Sequence, residues 1–309
     1  ELASKLGALS GYTDYHLFLC NSGAEANENA LKLASFHTGK TRVISFRRGF
    51  HGRTSAAVAV TDNPQIQSPL NKGHEVSFLP LGDQVALREA FQYEDISSVI
   101  VEGLQGIGGI HGIGHDYLRL VRQLCDDRGA VLILDEIQSG YGRTGQFFAH
   151  QYADVKPDLV TVAKGMGNGF PMAGVLIHPK FKASYGLLGS TFGGNHLACA
   201  AGIAVLEVIE MEGLIENARK TGNYLKNELT ALSHPILEVR GLGLMIGIEF
   251  PSPVAELRKK LLFEHNVFTG SSSNKYTLRI LPPLNIGKQE ADEFLRALES
   301  ALRNMDWTS

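Results

Sequence analysis

Ala130-Val131-Leu132-Ile133-Leu134-Asp135-Glu136 and, further along, Asp158-Leu159-Val160-Thr161-Val162-Ala163-Lys164 decide how this chain folds. Each is a short continuous apolar run, the pattern of a strand buried on both faces. The first run ends in a carboxylate. The second ends in an amine, followed by the glycine-rich Gly165-Met166-Gly167-Asn168-Gly169. In an open parallel sheet, groups at the carboxyl ends of strands face the crevice where ligands bind. Asp135 or Lys164 alone reads as a solvated charge just past a strand. Together, each behind a buried-type strand and with glycines after the lysine, they place an anion and an amine in one site. A lysine in such a crevice can lose its proton by desolvation and attack a carbonyl. An aspartate beside it suits a pyridine nitrogen, keeping that nitrogen protonated so that the ring acts as an electron sink. The combination points to pyridoxal phosphate.

The composition of the whole chain reads as that of a soluble globular protein. Its 309 residues, 44% hydrophobic and 20% charged, suffice for one large domain and a smaller one. A net charge of -3 without any Lys/Arg block excludes nucleic acid and anionic membrane as expected partners and leaves small molecules. Cys20, Cys125 and Cys199 are odd in number, widely spaced and without a CxxC pair, so they read as small buried hydrophobes in a reducing compartment, and no metal site is expected. No apolar segment reaches the length of a membrane span, and the opening Glu1-Leu2-Ala3-Ser4-Lys5-Leu6 reads as part of an amphipathic helix rather than a signal peptide. A cytoplasmic location is the expectation. The start inside a helix and without a methionine points to a missing natural beginning.

After that helix, Tyr15 to Cys20 reads as a strand and Asn21-Ser22-Gly23-Ala24-Glu25 as a helix start, with Ser22 and Glu25 as a capping box. Ala26, Ala30, Leu33 and Ala34 form one face of this helix, which stops at Gly39. Its first turn is a good phosphate site, although an isolated capped helix is the simpler reading. Thr41 to Phe46 is the next strand, leading into Arg47-Arg48-Gly49-Phe50-His51-Gly52-Arg53-Thr54, a loop that can hold an aromatic ring over a flat cofactor with a cation nearby. Ser98 to Val101 is a buried-type strand ending in Glu102, before Gly103-Leu104-Gln105-Gly106-Ile107-Gly108-Gly109. A helix is expected from Asp116 to Arg128, a strand from Ala173 to Ile177, and a long helix through Ala200 to Glu210 after the turn Ser190 to Asn195. Strands alternating with helices argue for an α/β domain with a mostly parallel central sheet flanked by helices, assigned to residues 1–205. Residues 206–309 read as a smaller C-terminal α+β domain. There Arg240-Gly241-Leu242-Gly243 opens a strand from Leu244 to Phe250, a helix runs from Ser252-Pro253 through Leu262, Thr277 to Leu281 is a strand, and Gln289 to Arg303 is the last helix.

Two other chemistries compete. Val131 to Glu136 would pass as the magnesium-binding strand of a P-loop NTPase, with Gly39-Lys40-Thr41 as a partial phosphate loop. Ala34 stands where that motif needs its first glycine, however, and the tripeptide closes a helix and opens a strand, the reverse of what is required. Gly140-Tyr141-Gly142-Arg143-Thr144-Gly145 fits the dinucleotide fingerprint, but it lies several residues past its strand and Pro157 follows soon after. Both alternatives leave Lys164 without a role.

With these pieces assembled, the chain resembles the class III, fold type I pyridoxal-phosphate aminotransferases, and within them the acetylornithine aminotransferases. The resemblance rests on Asn21-Ser22-Gly23-Ala24-Glu25-Ala26-Asn27-Glu28, Phe50-His51-Gly52-Arg53-Thr54, Leu134-Asp135-Glu136-Ile137-Gln138 with Gly142-Arg143-Thr144-Gly145, Ala163-Lys164-Gly165, and Ser190-Thr191-Phe192-Gly193-Gly194-Asn195. It implies that Lys164 holds the cofactor and later moves a proton, while Asp135 pairs with the pyridine nitrogen. Gln138 would bond the ring hydroxyl, Phe50 would stack on the ring, and Ser22, Gly23 and Ala24 would hold the phosphate. A threonine matching Thr191 reaches the neighbouring subunit's phosphate in this family, so a homodimer with its sites at the interface is implied. Arg53 and Arg279 resemble the arginines that bind substrate carboxylates, the latter that of 2-oxoglutarate, and Glu102 joins them as a candidate substrate-binding residue. The reaction implied is transfer of the δ-amino group of N-acetylornithine to 2-oxoglutarate, giving N-acetylglutamate semialdehyde and glutamate in arginine biosynthesis. N-succinylornithine, ornithine or another ω-amino acid such as 4-aminobutyrate is the alternative donor.

Three departures stand out. Relatives usually carry a glutamate where this chain has Ile107, an acid that commonly pairs with the arginine matching Arg279. Without it Arg279 is available to an anion, which suggests a donor with an extra carboxylate such as N-succinylornithine. Gly103 stands where relatives often have proline and receives no function. The third departure is the segment that family members carry before the residue numbered Glu1 here, which normally helps to line the substrate channel.

Overall fold

In the computed structural model, which describes residues 1–303 and Met305, the two apolar runs form the middle of a seven-stranded sheet. The chain begins with α1 (Leu2–Ser10), β1 (His16–Cys20), α2 (Gly23–Thr38), β2 (Arg42–Phe46) and the short α3 (Ser55–Ala59). Next come β3 (Val76–Leu79), α4 (Gln84–Ala90), β4 (Ile96–Glu102) and a small ladder of β5 (Leu104–Gln105) with β6 (His111–Gly112). α5 (His115–Arg128), β7 (Val131–Asp135), β8 (Leu159–Val162), β9 (Ala173–Ile177) and α6 (His196–Met211) follow. The sheet order is β1-β9-β8-β7-β4-β2-β3.

The strands β8, β7, β4, β2 and β3 are parallel neighbours, whereas β9 runs antiparallel to both β8 and β1. The mostly parallel sheet is as expected, and the reversed strand has a simple cause. Only a loop with one 3₁₀ turn, Lys164–Met166, connects β8 to β9, and a parallel return needs a longer crossover. Strands β4, β7 and β8 are buried along their whole length, as continuous apolar runs require. On one face α2 lays Ala26, Ala30, Leu33 and Ala34 against Ile100, Ile133, Leu159 and Val175. On the other, Leu87 of α4 and Leu118, Val121 and Cys125 of α5 cover Ile44, Val99, Leu132 and Leu134.

Helix α6 passes through positions 205 and 206 unbroken, and the chain first turns at Gly213, with φ 61°. Beyond it α7 (Leu214–Ala231), β10 (Glu238–Leu242), β11 (Met245–Glu249), α8 (Ala255–His265), β12 (Gly270–Ser271), β13 (Thr277–Ile280) and α9 (Lys288–Arg303) build a second, antiparallel sheet of order β10-β11-β13-β12. Strand β10 departs from the expectation that Arg240 to Gly243 opens the following strand. Instead Leu242 pairs with Met245, making a hairpin turned at Gly243. The polar Glu238 and Arg240, tied to each other by an ion pair, hide the strand pattern.

The dinucleotide-like glycines take part in joining the two sheets. Leu244 N–H donates to Arg143 O at 3.0 Å, and Arg143 Nη1 donates back to the carbonyls of Leu244 and Pro282. A Cβ on Gly243 would lie 2.4 Å from the Thr144 carbonyl carbon, and one on Gly222 of α7 only 2.0 Å from Gly243 O. Backbone meets backbone there without room for a methyl group. Gly222→Ala is accordingly expected to lower unfolding stability by about 2 kcal/mol, the scale of core overpacking, while Gly73→Ala, with open space around it, stays within about 0.5 kcal/mol. Urea unfolding midpoints check both.

Candidate active site

Adjacent strands deliver the three charged groups to one rim. Glu102 closes β4, Asp135 closes β7 opposite it in register, and Lys164 follows the end of β8. They face a cavity of about 460 Å³ whose wall also carries Ser22, Gly23, Ala24 and Gln138. Phe50 and Arg53 line it from the loop after β2. Two expected residues do not line this cavity. Thr191 is exposed on a turn tethered to the start of α2, where Asn21 Nδ2 donates to Ser190 Oγ at 3.2 Å. Arg279 comes from β13 and reaches the site at Gln138, its Nη1 donating to Gln138 Oε1 at 3.4 Å.

The start of α2 is built as an anion cradle. Glu25 N–H donates to Ser22 Oγ at 3.3 Å, and Glu25 Oε2 accepts from the Asn21 and Ser22 N–H groups at 2.7 and 2.8 Å. This uses the Ser22 N–H and leaves those of Gly23 and Ala24 without a partner among the described residues, at the positive end of the helix dipole. A Cβ on Gly23 would meet Ile137 at 2.9 Å, and Gly52, with φ 135°, lets the Phe50 loop close to within a methyl's width of Ala24. Glu28 ties the same loop down, accepting from Thr54 Oγ1 at 2.6 Å and from the Ala56 and Ala57 N–H groups at 3.0 Å.

Asp135 is buried among donors. Its Oδ2 accepts from Asn27 Nδ2 at 2.7 Å and from His51 Nδ1 at 2.8 Å, and its Oδ1 accepts from the Ile137 N–H at 3.1 Å. Asn27 in turn receives Thr161 Oγ1 at 2.7 Å. Lys164 is different. It is exposed, and its Nζ has no hydrogen bond or ion pair among the described residues. Its backbone sits at φ 42°, a region that a residue with a Cβ enters at a cost of about 1 kcal/mol. The turn is held by Asn168 N–H donating to Lys164 O at 3.1 Å. An anion cradle, a buried carboxylate and an uncommitted amine on one cavity fit the phosphate, pyridine nitrogen and carbonyl of pyridoxal phosphate.

Glu102 lines the cavity and also ties its neighbours together. Its two oxygens accept from the Phe50 N–H at 3.0 Å and the Gly106 N–H at 2.8 Å, which joins the two loops. Burial pushes its pKa up to about 7, with His51 opposing the rise and Asp135 adding to it. Gly106 leaves room for Gln138, whose Oε1 would lie 1.6 Å from a Cβ there, so a larger residue would have to move the Gln138 amide. Gly103 also has a reason: a Cβ would stand 2.7 Å from Glu136 Oε1 and 2.9 Å from the Ala149 Cβ. Ile107 lines the cavity. Arg279 is only 9% exposed, and its Nε donates to Ser271 O. Burial lowers its pKa, Glu102 opposing, and no carboxylate among the described residues pairs with it.

Sequence reasoning missed the roles of Asn27, His51 and Thr161. One signal was available for the first. Asn27 lies beside Ala26 and one turn before Ala30, on the buried face of α2, and a polar side chain there has to find partners.

The family model described as aminotransferase class-III matches residues 1–302. The acetylornithine aminotransferase of Methanosarcina mazei is 39% identical over 304 residues, covering 97% of this chain and 76% of that protein. That of Bacillus subtilis is 40% identical, covering 93% and 75%. Among solved structures, the ornithine aminotransferase of Toxoplasma gondii, with partial occupancy of PLP at its active site, superposes with a TM-score of 0.89 at 28% identity over 97% of this chain and 75% of that one.

The Glu102 geometry gives a pH signature. Its proton is held more tightly in the folded chain than in the unfolded one, so its stabilising effect is complete at low pH and lost as pH rises from about 4.5 through about 7. Glu102→Gln removes that loss, on the order of 3 kcal/mol at most. Melting temperatures across this interval should fall less steeply in the variant than in the native chain.

Proposed function

The chain belongs to the class-III aminotransferases, and from that premise we propose that it moves the δ-amino group of N-acetylornithine to 2-oxoglutarate with pyridoxal phosphate as cofactor. The observation that carries the reading is the convergence of Asp135, Lys164 and the open N-terminus of α2 on one cavity. The names of the relatives supply the donor and, through it, a place in arginine biosynthesis.

Bound there, pyridoxal phosphate supplies a carbonyl for the amino group and a cationic ring that takes up the electron pair released when a C–H bond breaks. The N–H groups of Gly23 and Ala24, with the Ser22 hydroxyl, would hold its phosphate. Asp135 would keep its ring nitrogen protonated, Gln138 would bond its hydroxyl and Phe50 would cover its face. Lys164 Nζ would hold the cofactor at its carbonyl carbon and, once released, carry a proton to and from the substrate carbon that bears the amino group. Arg53, exposed at the rim, would grip the donor carboxylate bidentately, and Arg279 that of 2-oxoglutarate. Glu102 enters this scheme as a positioning residue, since both of its oxygens are occupied by backbone donors.

Arg279 also favours a second donor. A guanidinium that is 9% exposed, has no carboxylate partner among the described residues and reaches the cavity wall at Gln138 suits a substrate with an additional carboxylate, since Ile107 in that wall contributes no charge. N-succinylornithine is that substrate. The exposed apolar Phe192 and Leu197 beside Thr191 support a homodimer in which Thr191 completes the neighbouring site. The cytoplasm is the compartment we propose; among the described residues no helix is long and apolar enough to cross a membrane.

Visible absorption of the chain with pyridoxal phosphate, before and after each donor, tests the scheme. The cofactor band should form and be bleached by an N-acylornithine but not by ornithine, and Lys164→Ala should lower turnover by about a thousandfold or more. A band that no N-acylornithine bleaches refutes the donor class. Turnover of the acetyl compound equal to or faster than the succinyl one rules out the second donor.

A further inference from the structure

We propose that Asn27 is a positioning residue that fixes the Asp135 carboxylate, so that Oδ1 is the oxygen offered to the cavity. The inference rests on the reading of Asp135 as the partner of the cofactor's ring nitrogen and adds to it the device that aims the carboxylate.

Asn27, Thr161 and Asp135 come from three different elements, α2, β8 and β7, and all are buried, Asn27 and Thr161 completely. The Asn27 amide has its orientation set by chemistry. Nδ2 lies 2.7 Å from His51 O and 2.7 Å from Asp135 Oδ2. A carbonyl and a carboxylate can only accept, so the nitrogen must face them and both of its protons are used. The amide oxygen is left for the Thr161 hydroxyl at 2.7 Å, and the Asn27 side chain cannot turn over without placing oxygen against oxygen.

Two donors, Asn27 Nδ2 and His51 Nδ1, therefore converge on Asp135 Oδ2, whereas among the described residues Oδ1 accepts only from the Ile137 N–H. Asp135 lines the cavity, so Oδ1 has the acceptor position left for a ligand's proton. Because Asn27 also holds the His51 carbonyl, the same amide links the Asp135 carboxylate to the loop carrying Phe50. Asn27 sits one helical turn after the Gly23 and Ala24 cradle. One helix thus sets the phosphate end of the site and, through Asn27, its acid end.

The isosteric Asn27→Asp tests this in the full chain loaded with pyridoxal phosphate. It replaces two donors facing His51 O and Asp135 by a carboxyl group. Near about pH 8, where the added group is charged, cofactor release should be about tenfold or more faster than in the native chain, the scale of losing a hydrogen bond to a charged group. Near about pH 6 the added carboxyl, its pKa raised by Asp135 beside it, is protonated and donates, and the difference should narrow. Thr161→Val, which keeps the volume and removes only the hydroxyl behind the amide, should speed release about threefold without that pH dependence, and it carries the test alone should Asn27→Asp not fold. Asp135→Asn is run alongside. If Asp135→Asn speeds release while Asn27→Asp and Thr161→Val both release like the native chain at each pH, the aiming role of Asn27 is overturned. If Asp135→Asn also releases like the native chain, the reading of Asp135 beneath it fails instead.

Discussion

A carboxylate cannot be buried without donors, and the site depends on how this chain meets that demand at Asp135. Desolvation of the ion would cost several kcal/mol if left uncompensated. The compensation comes from Asn27 on α2, His51 in the loop after β2, and the backbone just past β7. Helix, loop and strand end thereby acquire fixed relative positions. A second buried acid, Glu136, is satisfied in the same way by His150 Nδ1 at 2.7 Å, Ser139 Oγ at 2.6 Å and two backbone N–H groups, and the Tyr12 hydroxyl reaches His150 from the far side. The successive residues Asp135 and Glu136 thus anchor separate parts of the structure, one at the cavity and the other beneath it.

What was legible in the sequence is what local chemistry specifies. Continuous apolar runs announced β4, β7 and β8, the Ser22 and Glu25 pair announced the start of α2 down to its reciprocal hydrogen bonds, and Gly39 closed that helix in a left-handed conformation. The site residues at strand ends followed from the strands. What stayed hidden depends on distant partners. The reversal of β9 depends on the length of a connection, β10 is masked by its own ion pair, and the place of Thr161 in the network follows only from its register opposite Asp135. Gly103 owes its small size to Glu136 and Ala149, distant in sequence, which fill the space beside it.

The glycine-rich segment from Gly140 to Gly145 illustrates how a motif can mislead when its context is ignored. Its residues adopt positive φ at Tyr141, Gly142 and Gly145, and the space they vacate is taken by the turn at Gly243 and by Ile215 and Arg219 of α7. Close approach of backbone to backbone is the common physical reason for glycine here and in a nucleotide loop. Only the approaching partner differs.

Helix α2 has a consequence for anyone wishing to change what this enzyme accepts. Its first turn faces the cavity, Asn27 holds the acid, and Glu28 caps α3 and steadies the loop that carries Phe50 and Arg53. Randomising this helix in a library would discard most members for reasons unrelated to substrate choice. Ile107 lines the same cavity with an apolar side chain that holds none of these groups by a hydrogen bond, so diversity introduced at that side chain bears on selectivity rather than on scaffolding.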